Sequence, residues 1–173
     1  MARKGRTSQM SEIDIPEYLR DPEPIAIDSR TPMNYESVDP KFELRQGYEG
    51  DAGFDLAATE DWKVDVHEYS LIPCGVKIEL PEGIFGWIVA RSSTMRRWGL
   101  IVLPGIIDTG FRGELFASVY NPQSTSTRIR KGDRVAQIVP LPNVAAQLEP
   151  VRVTKIQGDS ARGSNGFGST GRQ

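Results

Sequence analysis

From Lys41 onward, short apolar runs alternate with breaks at Gly, Pro and Asp. The runs read KFELRQ, GFDLAA, WKVDV, YSLIP, GVKIEL, GIFGWIVA, GLIVL, ELFASVY, RVAQIVPL and PVRVTKI. They are strand length and rich in Val and Ile. In VKIEL the apolar Val76, Ile78 and Leu80 alternate with polar neighbours, the period of a half-buried strand. PEG at Pro81 to Gly83 predicts a tight turn between two of the runs. Many short strands with closely spaced turn signals predict an all-β fold of sandwich, jelly-roll or barrel type. One short helical turn is expected after Arg91. Ser92 and Ser93 suit an N-cap, TMRRW suits a helix, and Gly99 suits a left-handed stop. Trp87, in a strand, and Trp98, at the helix end, read as structural residues.

Both ends depart from this pattern. Residues 1–38 are polar, rich in Pro, and show no sustained period. They predict an extended or partly disordered arm whose best docking segment is Ile25 to Ile27. Residues 39–156 form the strand-rich body, and 157–173 a Gly-rich C-terminal arm. The ending RGSNGFGSTGRQ supports neither helix nor strand, so it is expected to be mobile without a ligand. Its single ring, Phe167, lies between Gly166 and Gly168. That suits a flap in which backbone N–H groups and Ser169 or Thr170 meet phosphate oxygens while Phe167 stacks on a base. The Gly-Lys-Ser/Thr ending and following helix of a Walker A loop are missing.

A length of 173 residues suits one domain with a sizeable core. The formal net charge of −2 leaves no global footprint for duplex nucleic acid, although basic residues cluster at 91–97 and 128–134. Cys74 is the one cysteine, so no intramolecular disulfide can form, and its apolar strand makes it a small core residue. His67, beside Glu68 and between two strand-like runs, reads as a surface residue, so no His/Cys zinc site is expected. No apolar run approaches membrane-spanning length, and MARKGRTSQM lacks the apolar segment of a signal peptide. A cytosolic or nuclear setting is the expectation, with the basic start a solvated tail.

The richest chemistry lies in PGIIDTGFRGE, residues 104–114. Asp108 stands between the apolar Ile106 and Ile107 and a Gly-containing turn, with Phe111 following. A carboxylate there serves either as ordinary turn chemistry or as a base aimed into a cleft. The Ile pair would keep such a base dry and fixed. Arg91 at the start of a helix suggests an anion site built from a guanidinium and helix N–H groups.

Five segments appear in order: DAGFDLAATED (51–61), ARSSTMRRWG (90–99), PGIIDTGFRGE (104–114), GDRVAQIV (132–139) and RGSNGFGSTG (162–171). Together they resemble the five motifs of the trimeric dUTPase family, over roughly three quarters of the chain from about Lys41. The linking GVKIELPEG looks like that family's hairpin before its second motif. The resemblance implies a nucleotidohydrolase that converts dUTP and water to dUMP and pyrophosphate, with Mg2+ as cofactor. It also implies a β jelly roll assembled as a homotrimer, with active sites between subunits and each closed by a C-terminal arm from another chain.

The same resemblance assigns roles. Asp108 would hold and deprotonate the attacking water, and a carboxylate ionised near neutral pH can accept that proton. Arg91, Ser92 and Ser93 would grip phosphate. Gln137 would contact phosphate or metal-bound water, and Asp55 would link to the Mg2+ site through water, unless it simply bonds neighbouring backbone. Gly105, Ile106 and Ile107 would meet the uracil edge by main-chain groups. Phe111 stands where the family usually has Tyr and would pack under the deoxyribose. Arg162, Phe167, Gly168, Ser169 and Thr170 would belong to the closing arm, in which Asn165 replaces a usual Gly.

Two rival readings remain. The related dCTP deaminases share the Arg-Ser-Ser segment and an IDxGF hairpin, but place a Glu ten positions after the hairpin Asp. Here that position is Ser118, which lacks the basicity for proton shuttling. The second rival is a non-catalytic relative that binds nucleotide and regulates a protein partner; Asp108, Arg91 and the arm are all present, which argues against it. The long N-terminal arm keeps a protein partner open, since such additions occur in phage and viral members. The compartment would then be the cytoplasm, that of the host for a viral or phage chain.

Overall fold

The computed structural model describes residues 31–156. The chain divides into a unit ending at Asn143 and a C-terminal unit from Val144. All eleven described strands belong to the first: β1 Asn34–Ser37, β2 Phe54–Ala57, β3 Trp62–Val64, β4 Tyr69–Pro73, β5 Val76–Glu79, β6 Ile84–Ala90, β7 Ile101–Val102, β8 Gly105–Ile107, β9 Phe116–Tyr120, β10 Thr127–Ile129 and β11 Arg134–Pro142. The one α-helix among the described residues, α1, covers Thr94–Trp98. In the second unit the described residues form only a 3-10 turn at Val144–Gln147.

The strands pair in four antiparallel ladders, β2-β11-β6-β8, β4-β9-β7, β3-β10 and β1-β5. No ladder closes on itself; the architecture is that of a jelly roll. Alternation builds the core. On β5, Val76 and Ile78 are buried while Glu79 is exposed; on β9, Ala117 and Val119 are buried while Phe116 is exposed. Leu56, Ile72, Leu100, Leu115, Ile129 and Ile138 are almost fully enclosed with them. Cys74 lies in the same cluster, and burial pushes its thiol up to about 12. It is packing, as expected, and not a nucleophile.

Strand β11 is the spine. It pairs with β6 from Ala136↔Ala90 to Pro142↔Ile84, and with β2 only as far as Ile138↔Phe54. Beyond Ile138 that side of β11 is free of β2, which is where Pro140 and Pro142 can be tolerated without an N–H. A register shift between Arg134 and Ala136 bends the other end of β11.

Several expectations need correction. The stretch read as an aperiodic arm contributes β1, whose Asn34 to Ser37 pair with Glu79 to Val76. KFELRQ is not a strand: Pro40–Phe42 is a 3-10 turn capped by Asp39, which accepts from the Lys41 N–H, with Phe42 at its end and Leu44 beyond it buried. PVRVTKI forms no strand among its described residues. Gly83 does make the PEG turn at φ 76°, with the Ile84 N–H on the Pro81 carbonyl.

Helix α1 ends as the sequence indicates, at Gly99 with φ 65° and its N–H on the Met95 carbonyl. It does not begin as expected. Ser93 has helical dihedrals and no capping hydrogen bond. The turn is anchored instead by Thr94, fully buried, whose hydroxyl donates to the Val135 carbonyl at 3.0 Å. Of the two tryptophans read as structural, Trp98 is buried and Trp87 is 41% exposed on the outer face of β6.

Candidate active site

At the C-terminal end of β6 a group of polar side chains meets around Asp55 on β2. The Arg91 Nε lies 2.5 Å from Asp55 Oδ1, and the Arg134 Nη1 donates to Asp55 Oδ2 at 2.9 Å. Asp55 is only 8% exposed, so both of its oxygens are committed to guanidinium groups with little water around them. Arg91 also donates to the Arg134 carbonyl at 3.2 Å. Gln137, opposite Asp55 in the register, donates its amide to the Ala90 carbonyl at 3.0 Å. Gly53 permits this packing, since a Cβ there would come within 2.7 Å of the Gln137 amide oxygen.

This end carries two positive charges against one carboxylate and so suits an anion. The sequence pointed to Arg91 and Gln137 but missed Arg134. Its signal was its place two residues after Gly132, at the start of β11 just past the turn from β10. Ser92 and Ser93 follow directly after Arg91, but the expected helix N-terminus adds little. The helix has five residues, and the Thr94 N–H is already on the Arg91 carbonyl.

The other group lies at the opposite end of β6. Strand β8 places Gly105, Ile106 and Ile107 against Ile88, Trp87 and Gly86, and Asp108 begins the turn beyond Ile107. The Thr109 hydroxyl donates to the Ile84 carbonyl at 2.6 Å, and the Phe111 N–H to the Asp108 carbonyl at 3.0 Å. Asp108 is exposed and Ile106 is 60% exposed. The expected dry setting for the carboxylate is therefore not made by the Ile pair within one chain. The Phe111 ring folds back over Gly113, where a Cβ would sit 2.6 Å from its Cζ.

Register fixes the distance between the two groups. Asp108 lies next to the start of β6 and Arg91 just past its end. At roughly 3.3 Å per strand residue they are on the order of 20 Å apart. The structure thus brings Asp55, Arg91, Arg134 and Gln137 together, and separately Gly105 to Asp108 with Phe111. Arg162, Phe167, Gly168, Ser169 and Thr170, with Asn165, lie outside the described residues.

The described residues of one chain offer no ready-made cage for a metal ion. Among the described residues no three His, Cys, Asp or Glu side chains converge. Asp55, expected to link to a Mg2+ site through water, is held between two guanidinium groups.

A family model described as dUTPase matches residues 42–171, and so spans the strand-rich body and both groups of residues. The chain belongs to the dUTPase family. Its similarity to other dUTPases is extensive. It is 40% identical over 130 residues to the deoxyuridine 5'-triphosphate nucleotidohydrolase of Paramecium bursaria Chlorella virus 1, which covers 73% of this chain and 87% of the relative. It is also 40% identical over 152 residues to the enzyme of that name from Streptomyces avermitilis, with 83% of each chain covered. Among solved structures, a mutant dUTPase of Staphylococcus bacteriophage 80alpha with dUpNHpp superimposes with a TM-score of 0.75 at 25% identity, over 83% of this chain and 100% of that one. A mutant dUTPase from phage phi11 of S. aureus, described with a structural Mg(II) ion, has the same fold (TM-score 0.64, 20% identity, 75% of this chain and 100% of that one).

Proposed function

We propose that this chain is a dUTP diphosphatase that hydrolyses dUTP to dUMP and pyrophosphate by water attack at the α-phosphorus. The observation that carries the reading is the division of the dUTPase motifs into an anion-binding end and an Asp108 end of one strand, β6. A triphosphate held by Arg91 and Arg134 of one subunit can present its α-phosphorus to Asp108 of another. The outward faces of β6, β8 and β11 support such an assembly. Trp87 and Ile106 are paired and exposed there, with Phe85, Val89, Val139 and Leu141 half-buried beside them. An apolar sheet face of this kind suits a second copy of the chain, and the homotrimer of the family satisfies it with sites between subunits.

In this arrangement Asp108 orients the water and takes its proton as charge develops on the attacking oxygen. Arg91 and Arg134, with Ser92 and Ser93 beside them, neutralise charge on the phosphate oxygens, and Gln137 adds a donor. Main-chain groups of Gly105, Ile106 and Ile107 read the uracil edge, while Phe111 packs under the deoxyribose. Arg162, Phe167, Gly168, Ser169 and Thr170 form the lid that excludes water.

Asp55 acts by holding Arg91 and Arg134 in place. Mg2+ carried by the triphosphate would supply charge neutralisation beside Arg91, Arg134 and Gln137, and would need no cage of protein carboxylates. Among the described residues no helix is long and apolar enough to cross a membrane. The proposed compartment is the cytoplasm, that of the host for a viral or phage chain.

Deamination of dCTP is disfavoured by the position of Ser118. It lies on β9, in the ladder with β4 and β7, where its hydroxyl meets the Tyr69 phenol at 3.3 Å.

The test is Asp108→Asn, which keeps shape and loses basicity. Turnover of dUTP should fall by about a thousand-fold or more while dUpNHpp still binds within a few-fold of the wild-type affinity. Turnover within ten-fold of wild type refutes the role of Asp108.

A further inference from the structure

The turn that carries Asp108 has little packing to fix it. Asp108, Gly110 and Phe111 are exposed, and a Cβ at Gly110 would meet nothing within 4 Å. Its shape therefore depends on hydrogen bonds, and besides the Thr109 hydroxyl and the Phe111 N–H two of them come from one side chain. The Arg112 Nη1 donates to the Thr109 carbonyl at 2.8 Å and to the Phe111 carbonyl at 2.9 Å. Its Nη2 reaches outward to Glu79 Oε1 on β5 at 3.1 Å. The other carboxylate oxygen, Glu79 Oε2, accepts from the Asn34 amide on β1 at 2.9 Å. Asn34 and Glu79 are direct partners in the β1–β5 register, and the Glu36–Lys77 ion pair at 3.3 Å closes the next rung on the same face.

We propose that Arg112 and Glu79 are positioning residues for the proposed hydrolysis, a clamp that holds the Asp108 to Phe111 turn in its working geometry and is steadied from β1 by Asn34. The inference rests on the role proposed for Asp108. A planar guanidinium can serve two carbonyls on one edge and a carboxylate on another, which an ammonium point charge cannot do in fixed geometry. Glu79 sets which way that plane faces. The hydrogen bond from Asn34, followed by the charge of Arg112, holds the Glu79 carboxyl below its ordinary value of 4.5, so it is ionised at neutral pH. Both ends of the ion pair are about half exposed, at 53% and 51%, so the pair adds little to global stability. Its effect is on orientation, to which attack at phosphorus is highly sensitive.

The experiment compares full-length Glu79→Ala, Glu79→Gln, Arg112→Lys, Arg112→Ala and the Glu79→Ala/Arg112→Ala double variant with wild type. It reads kcat and KM for dUTP, Tm, and amide hydrogen exchange across residues 108–111. Glu79→Ala and Arg112→Lys should each lower kcat by about ten-fold, with KM within about three-fold and Tm within about 2 °C. Glu79→Gln, which keeps an oxygen for Arg112, should recover most of the loss. The double variant should be no slower than Arg112→Ala alone, since Glu79 acts through Arg112. Exchange at the Phe111 N–H should quicken in every variant except Glu79→Gln.

A kcat loss under three-fold in Glu79→Ala, losses that multiply in the double variant, or a Tm drop that tracks the kcat loss each overturns the clamp. If wild-type protein releases no pyrophosphate from dUTP, the proposed reaction fails. Exchange at Phe111 then still decides whether Glu79 and Arg112 hold the turn.

Discussion

Gly113 illustrates how one missing methyl can matter to specificity. The Phe111 ring rests where a Cβ on residue 113 would stand, and the ring is 40% exposed, so it can move away without disturbing the core. Gly113→Ala should therefore leave Tm within about 2 °C of wild type while it lifts the ring from its place under the proposed deoxyribose position. The expected result is a fall of about ten-fold in the preference for dUTP over UTP, measured as the ratio of kcat/KM values. An unchanged ratio would remove Phe111 from sugar selection. At this scale the sequence shows its chemistry unevenly. Asp108 was singled out because its segment is one of five in order that resemble the family's motifs, whereas locally a carboxylate at such a turn reads equally as turn chemistry. Glu79 and Arg112 were not, since their meaning depends on a contact between residues 33 positions apart, and each alone looks like an ordinary surface charge.

Among elements, β2, β6 and β11 matter most, because their register puts Asp55 between Arg91 and Arg134. Their apolar runs were readable as strands from period and composition. The order β2-β11-β6-β8 was not, because a ladder between residues 54 and 138 leaves no local trace. Strand β1 was missed for a related reason. NYES has no alternation of its own, and it is extended because β5 offers it a free edge. The helix start was missed too, since Thr94 anchors it through a contact with Val135 and not through a serine cap.

The Asp55 contacts make a test that separates a positioning carboxylate from a metal ligand. Asp55→Asn keeps the size but cannot neutralise two guanidinium groups. It should raise KM for dUTP and cost about 1–2 kcal/mol in urea unfolding, discounted because the Arg134 side chain is 47% exposed. The Mg2+ concentration for half-maximal activity should stay within about three-fold of wild type. A rise of ten-fold or more would put Asp55 on the metal after all.

For the whole molecule, the spacing of about 20 Å between Arg91 and Asp108 along β6 means that, in the proposed function, the active site would be a property of the assembly. In the proposed homotrimer the anion end and the acid end of one chain would face different neighbours, so each site would take the Arg91 group of one subunit and the Asp108 turn of another. This has a quantitative consequence for mixtures. Arg91→Ala and Asp108→Asn subunits should each be nearly inactive as pure preparations. If they are unfolded together and refolded in equal amounts, they should assemble at random. A site is intact when its acid comes from an Arg91→Ala subunit and its arginines from an Asp108→Asn subunit, which occurs in about a quarter of sites by chance. Activity should therefore return to about a quarter of that of wild type refolded in parallel. A control mixture of Asp108→Asn with an Asp108→Ala variant should recover nothing, because no subunit then supplies the acid. If the first mixture stays as inactive as its components, both groups act within one chain, and β6 must be bypassed by a route that the register does not provide.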